Sequence, residues 1–352
     1  MICCVRLRIC LRKKLYEAIR KEGLMVVSKT PLRASFFGGG TDFKDYFTHT
    51  KKGYGNVVST ALNMYVYIMV TKRFDDQIRV CYRIQEMVDH VDKIQHNIIR
   101  EAMKIAGIEK GVDIVYSADI PISTSGVGLA SSSAMAVGVL NALFAYKGIQ
   151  LSPRQLAEYA CEIEIGRLHS PIGIQDQFAV AFGGLKRYRF YPNGQVGVQS
   201  VICNPVLLAL LKKRLMLFFT GMTRLASDIL KDQKQNIADR MPVLDQMTDM
   251  VDESILALQE GSLDDWGYML DRAWELKRAM SDRINNPCIE EMYQKGKSAG
   301  ALGGKILGAG GGGFLLLYVP EEKQEKVREA LQDYRQIEFD FEQEGSRIIF
   351  ME

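Results

Sequence analysis

Three glycine-rich turns limit what this chain can fold into. They lie at residues 38–42 (GGGTD), 126–133 (GVGLASSS) and 308–313 (GAGGGG), and each follows a run that reads as a strand. Glycine serves wherever backbone must turn left-handed or approach another group closely. One such turn says little. Three in a chain of 352 residues point to backbone that wraps a ligand. The second is the most explicit. It sits in PISTSGVGLASSSAMAVG (121–138), where twelve of eighteen residues are Gly, Ala, Ser or Thr and none is Lys or Arg. A strand-like run (111–121) leads in. Ala134, Met135, Val137, Val139, Leu140, Leu143 and Phe144 then continue as a mostly buried helix. A helix start leaves about four backbone N–H groups unpaired, and with the helix dipole these form an anion site. No GK[ST] follows the glycines, so this is not a Walker A loop, nor is it GxGxxG. Serine capping with tight helix packing is the plainer alternative.

The rest of the chain reads as mixed. Residues 24–37 and 57–74 are strands, and 77–83 is placed to pair with the second of them. Met87, Val88, Val91, Ile94, Ile98, Ile99 and Met103 share one side of a helix over 85–106. Ser152 and Pro153 give an N-cap and first helical residue. Asn193-Gly194 marks a hairpin. A strand at 214–221 precedes three or four helices reaching to about residue 300. A strand, the third glycine loop and another strand come next, then a charged helix (321–334) and a last strand pair. Without regular βα alternation the class is α+β. Length argues for two domains, divided as a basic N-terminal extension (1–24), an N-terminal domain (25–205) and a C-terminal domain (206–352).

Charge bounds the function. The net charge is +3, but residues 1–24 carry seven basic and two acidic side chains, which leaves the remainder slightly acidic. That body lacks the footprint of a nucleic-acid binder. The first 24 residues read either as an arm on a membrane surface or as an upstream extension with Met25 the natural start. No apolar run is long enough to span a membrane. Seven scattered Cys without a CxxC pair fit reduced thiols and a cytoplasmic location.

Two further segments carry acids. In EYACEIEIGRLHSPIGIQDQF (158–178), Asp176 reads as a carboxylate for a substrate hydroxyl or as a cap. At about 100° per residue, Glu164 falls on the apolar arc of Leu156, Ala157, Ala160 and Ile163, whereas Glu162 falls beside Glu158. A buried Glu164 needs a partner, either a Mg²⁺ ion or an arginine. In SKTPLRASFFGGGTDF (28–43), Arg33 lies on a strand and Asp42 just past a glycine turn, suited to phosphate charge and sugar hydroxyls or to an ion pair and a cap.

Taken together and in order, TPLRASFFGGGTDF, STSGVGLASSSA and KILGAGGGGF resemble the three motifs of the GHMP small-molecule kinases. An IGIQDQ element between the second and third is similar to that of the sugar kinases. LFFTGMTRLASDIL, AWELKR and GALGGKILGAGGGGFLLLYV look like the heptose 7-phosphate kinase branch. The resemblance implies a ribosomal-S5-like N-terminal domain and a ferredoxin-like C-terminal domain with the site between them. It implies ATP and Mg²⁺, and phosphorylation of the anomeric O1 of D-glycero-D-manno-heptose 7-phosphate. Alternatives are a kinase of an unphosphorylated heptose, fucose or galactose, and a non-catalytic sensor on the same fold. It implies Asp176 and Arg33 as catalytic residues and Ser132 with Glu164 as metal ligands. Gly126, Val127, Gly128, Leu129, Ala130, Ser131, Ser132 and Ser133 would wrap the nucleotide. Gly39, Gly40, Thr41, Asp42, Gln175, Gly310 and Gly311 would hold substrate. Lys277, Arg224 and Arg272 are candidates for a sugar-phosphate clamp. Ala130 stands where the motif usually has Gly, which is tolerable if its φ stays negative. The assembly state is open, a homodimer included.

Overall fold

The computed structural model describes residues 24–120, 128–222 and 226–352, so Gly126, Val127, Arg224 and nearly all of the N-terminal extension lie outside the described residues. Two sheets organise the described residues. Among them the larger has nine strands. Its centre is β2 (Gly55–Lys72), flanked by β1 (Met25–Phe37) and, along its second half, by β5 (Val112–Ala118). β1 alternates buried and half-buried positions up to Pro31 and is buried throughout after it. A register shift between Pro31 and Leu32 accommodates the proline, which cannot donate to the ladder.

Across this sheet lies α2 (Ser131–Tyr146), numbered after α1 (Asn97–Ala106). Its residues are small and apolar on every side, so it is buried nearly all round instead of presenting a stripe. α3 (Pro153–Cys161) starts as anticipated. Ser152 Oγ accepts from Gln155 N at 3.3 Å, and Gln155 Oε1 accepts from Ser152 N at 3.0 Å, a reciprocal cap with Pro at the first position. The chain then leaves α-helical geometry for a π-turn (Glu162–Arg167) and resumes in α4 (Gln175–Phe182). The hairpin of β6 (Leu185–Phe190) and β7 (Val196–Ser200) turns at Asn193-Gly194, with Gly194 at φ 83°.

The smaller sheet runs β11 (Arg335–Ile337), β8 (Leu215–Phe219), β10 (Phe314–Tyr318), β9 (Gly303–Ile306), all antiparallel. Relabelled by chain position this is the order 4-1-3-2 of a ferredoxin-like unit. Between β8 and β9 run α5 to α8, with α5 placed at Ala226–Asn236, α6 at Met241–Glu260, α7 at Leu263–Arg278 and α8 at Pro287–Ala299. The α+β class and this two-unit architecture are as expected.

Three expectations need correction. Residues 85–106 are not one helix: β4 (Gln85–Val88) pairs with β3 (Ile78–Cys81), and helix begins only at Asn97. The break is held by Glu86, whose carboxylate accepts the backbone N–H groups of Gln95 and His96. Residues 77–83 do not pair with β2, since β3 lies between β4 and β5. The division at 205/206 also fails at its far end. β12 (Phe341–Glu342) pairs with β2, and β13 (Arg347–Met351) pairs with β1, so the end of the chain closes the first sheet rather than the second.

The two units are packed firmly together. Trp266 of α7 meets Phe36 and Phe37 of β1 edge-on, with ring centroids 5.3 and 5.2 Å apart. α6 presents Asp245 to Tyr46 and Thr50, both at 2.7 Å, and Asp249 to Lys52 at 2.6 Å. Among the described residues, no helix is long and apolar enough to cross a membrane.

Candidate active site

A cleft of about 790 Å³ opens between the two units and is lined by parts of all three glycine segments. β1 delivers Arg33 to its floor. Arg33 is 2% exposed. Its Nε and Nη2 donate to the two carboxylate oxygens of Asp176 at 2.8 and 2.7 Å, and Nη1 donates to Gly128 O at 2.7 Å. The Arg33 backbone N–H donates to Leu129 O at 3.2 Å. One side chain therefore ties the first strand, the small-residue loop and α4 together through the planar fork that suits a carboxylate. The Asp176 side chain remains 25% exposed. Each carboxylate oxygen keeps a lone pair, so a hydroxyl entering from the cleft can still be accepted.

Asp42 follows the first glycine turn and is 2% exposed. Its carboxylate accepts from Gly40 N at 3.0 Å and Gln175 N at 3.1 Å. Burial and the nearby Asp176 raise its pKa, and these backbone donors oppose the shift. Gly39, Gly40 and Gln175 line the cleft alongside it. Thr41 does not: its hydroxyl donates to Gly38 O and Asn56 O and braces the turn.

Glu164 is 3% exposed, and Glu162 is paired on the surface with Arg167. Helical spacing alone separates these two acids as the fold does, although the backbone there is a π-turn. Glu164 Oε2 accepts from Ser133 Oγ at 2.7 Å and from Gln177 Nε2 at 2.6 Å. Burial raises the Glu164 pKa, and hydrogen bonds from Ser133, Ser132 and Gln177 lower it. Ser132 is exposed to the cleft, and Ser131 Oγ is buried without a partner among the described residues. Ser132 and Glu164 thus offer two adjacent oxygens at the N-terminus of α2. Among the described residues no cluster of three or more His, Cys, Asp and Glu could hold a metal. The arrangement fits a Mg²⁺ ion that takes its remaining ligands from phosphates and water.

The second and third glycine segments touch. A Cβ on Gly308 would stand 2.5 Å from Gly128 Cα, and one on Gly128 would stand 2.2 Å from Leu307 O. Only glycine permits this contact, which closes the loop 128–133 against the second unit. Gly308 and Ala309 reach the cleft, whereas Gly310 and Gly311 pack on Ile284, with Gly311 N donating to Ile284 O at 2.8 Å. Substrate contacts by Gly310 and Gly311 have no support in this geometry. Leu129 is fully buried and contributes its carbonyl.

Ala130 adopts φ 63°, ψ 34°, the left-handed region. The condition of a negative φ, under which alanine would be tolerated freely, is not met. The reason is positional: Ala130 caps α2, its carbonyl accepting from Ala134 N at 2.8 Å, and the turn out of Gly128 demands that geometry. An L-residue there costs about 1–2 kcal/mol. Replacing it by Gly frees the unfolded chain by about 0.4–1 kcal/mol. Ala130→Gly is therefore expected to match wild type in denaturant unfolding or to exceed it slightly. A clear loss of stability would show that the methyl group, not the turn, is what the site needs.

Two cations complete the cleft. Lys277 of α7 donates to Gln233 Oε1 at 2.8 Å, and Gln233 Nε2 donates to Ala309 O at 2.8 Å. Lys305 of β9 donates to Phe36 O at 2.9 Å. Burial pushes Lys277 down to about 8 and Lys305 down to about 7. Sequence reasoning missed Lys305, although a lone lysine in the apolar run just before the third glycine loop was a visible signal. Arg272 is exposed and does not line the cleft.

The chain as a whole is similar to known enzymes. The GHMP kinases N terminal domain matches residues 91–184, and GHMP kinases C terminal matches residues 254–336. The D-glycero-alpha-D-manno-heptose 7-phosphate kinase of Campylobacter jejuni is 30% identical over 341 residues, covering 90% of this chain and 97% of that protein. The chain belongs to the GHMP kinase family, and it is an ATP-dependent sugar kinase. The galactokinase of Pyrococcus furiosus is 25% identical over 87% of this chain and 92% of its own. The same fold occurs in a D-glycero-D-manno-heptose 1-phosphate kinase from Bacteriodes thetaiotaomicron, with a TM-score of 0.75 at 24% identity, covering 92% of this chain and 98% of that one.

Proposed function

We propose that the protein transfers the γ-phosphoryl group of ATP to the anomeric O1 of D-glycero-D-manno-heptose 7-phosphate, giving the 1,7-bisphosphate for nucleotide-activated heptose synthesis. The observation that carries the phosphorylated acceptor is Lys277. It is buried at the acceptor end of the cleft, where a Cβ on Gly40 would lie 3.9 Å from its Nζ, with Asp42 and Asp176 nearby. A desolvated ammonium there recognises an anionic group on the acceptor. The match to the Campylobacter jejuni heptose 7-phosphate kinase supports the same reading.

In this reading the loop 128–133 and the N-terminus of α2 receive the ATP phosphates. Ser132 and Glu164 hold Mg²⁺, which supplies positive charge at the phosphates. Asp176, fixed by Arg33, accepts the hydrogen bond of the sugar hydroxyl and aims its oxygen. Asp42, with Gly39, Gly40 and Gln175, holds the sugar. Catalysis is positioning and charge neutralisation.

The test is a panel of free and phosphorylated heptose, fucose and galactose with ATP and Mg²⁺, the product position read by phosphorus NMR. Heptose 7-phosphate should be the preferred acceptor, with a new anomeric phosphate. Preference for an unphosphorylated sugar would overturn the assignment, and ATP binding without any turnover would favour a sensor.

A further inference from the structure

Lys305 is a buried cation to which the reading above gives no role. Its position is specific. β9 carries it three residues ahead of Gly308, the glycine jammed against Gly128. Arg33, whose guanidinium holds both Asp176 and Gly128 O, is among the charges that act on it. Lys305 thus stands at the seam between the phosphate loop and the carboxylate that receives the acceptor hydroxyl. Lys277 lies instead toward Gly40 and Asp42.

The partners of Lys305 are as informative. An ammonium has three donors, and among the described residues Lys305 uses one, to Phe36 O. Arg33 is neutralised by Asp176, and Lys277 has Asp42 and Asp176 close by. The charges acting most on Lys305 are Lys277 and Arg33, both of its own sign. Arg33 and Lys277 thus have carboxylates to offset them, whereas no carboxylate is among the charges that act on Lys305, and an uncompensated ammonium in a desolvated space is costly unless an anion meets it.

We propose that Lys305 holds the phosphoryl group during its passage from ATP to the acceptor, its two spare donors meeting the charge that spreads over the transferring oxygens. In that step the bond from the γ-phosphorus to the oxygen bridging the β-phosphate breaks, and its electron pair goes to that oxygen. The acceptor oxygen bonds to phosphorus, and its proton is lost to Asp176 or water. The role rests on residues 128–133 being the ATP phosphate site and is independent of which sugar accepts.

Lys305→Met and Lys305→Arg in the full chain test it, with unfolding curves to establish that each folds. Titration calorimetry with Mg²⁺ should show Lys305→Met losing about tenfold or more of the preference for ATP over ADP, the worth of a charge-assisted contact to the γ-phosphate. Its kcat should fall about 10²–10³-fold, as for other transition-state donors, with acceptor KM nearly unchanged. Lys305→Arg should recover much of both. Wild-type kcat/KM should also fall as pH rises above about 7, where the free enzyme loses this charge, and Lys305→Arg should flatten that limb. The charged groups that act on Lys305 are Lys277 of α7 and Arg33 of β1, and Asp42 and Asp176 act in turn on Lys277. An unchanged ATP-to-ADP ratio overturns the proposal. So does a rise in KM confined to phosphorylated acceptors, or an equal loss of both nucleotides in a destabilised variant. If wild type phosphorylates no sugar of the panel, the heptose reading fails while the nucleotide titration still decides the role of Lys305.

Discussion

Asp176→Asn is expected to lower kcat by about 10²–10⁴, the range for removing a catalytic base or hydroxyl acceptor, with the fold intact. The substitution keeps the shape and removes the charge. Asp176 lies in the first turn of α4, and both of its oxygens already accept from Arg33. An asparagine oxygen can still accept from one arm of the guanidinium, but its amide meets the other arm donor to donor. The mismatch should cost about 1–3 kcal/mol of stability. The loss of activity is larger because the acceptor hydroxyl then faces a neutral amide that neither attracts its proton nor orients its lone pair. ATP affinity should change little, since the loop and α2 are untouched. The check is initial-rate kinetics by coupled ADP release beside an unfolding curve. Turnover at the wild-type rate would sink the role assigned to Asp176.

What could be read from the residues and what could not divide along physical lines. Features set by near neighbours were legible. Ser152 and Gln155 cap each other within one turn, Asn193-Gly194 closes a two-strand turn, and the apolar residues from Ala134 to Phe144 read as a mostly buried helix. The inward face of Glu164 followed from helical spacing even though a π-turn carries it. Features set by distant partners were not legible. Nothing within residues 77–88 says that β3 takes β5 and β4 as neighbours. Nothing within 341–351 says that this segment crosses back to β1 and β2. In the site, the resemblance pointed to Arg33, Asp42, Ser132, Glu164 and Asp176, and the fold brings them to one cleft. It overreached at Gly310 and Gly311 because a glycine run does not reveal which of its members turn inward. It passed over Lys305, whose apolar surroundings were a signal but whose partner, the Phe36 carbonyl of β1, comes from a distant segment.

Arg33→Met should be nearly as damaging as Asp176→Asn, and the two losses should not add. Methionine fills much of the same space but removes three side-chain hydrogen bonds and a positive charge at one stroke. The Asp176 carboxylate loses both donors, Gly128 O loses its partner, and the phosphate site loses a fixed cation. Removing a single preorganised donor costs about 10²–10³ in kcat, and Arg33 combines that with the anchoring of the hydroxyl acceptor. Its own burial makes the position unforgiving, while the exposed edge of Asp176 lets water soften the unpaired carboxylate, so the stability loss should stay near 1–3 kcal/mol. Because Arg33 acts partly through Asp176, the double variant should be no worse than about the worse single variant, as for residues that act as a unit. Arg33→Lys separates charge from shape. A lysine restores the charge at one point and cannot span Asp176 and Gly128 O together. Its kcat should therefore lie closer to that of Arg33→Met than to wild type. Full recovery by lysine, or strictly additive losses in the double variant, would mean that Arg33 serves the phosphate alone and that Asp176 is held in place by the rest of α4.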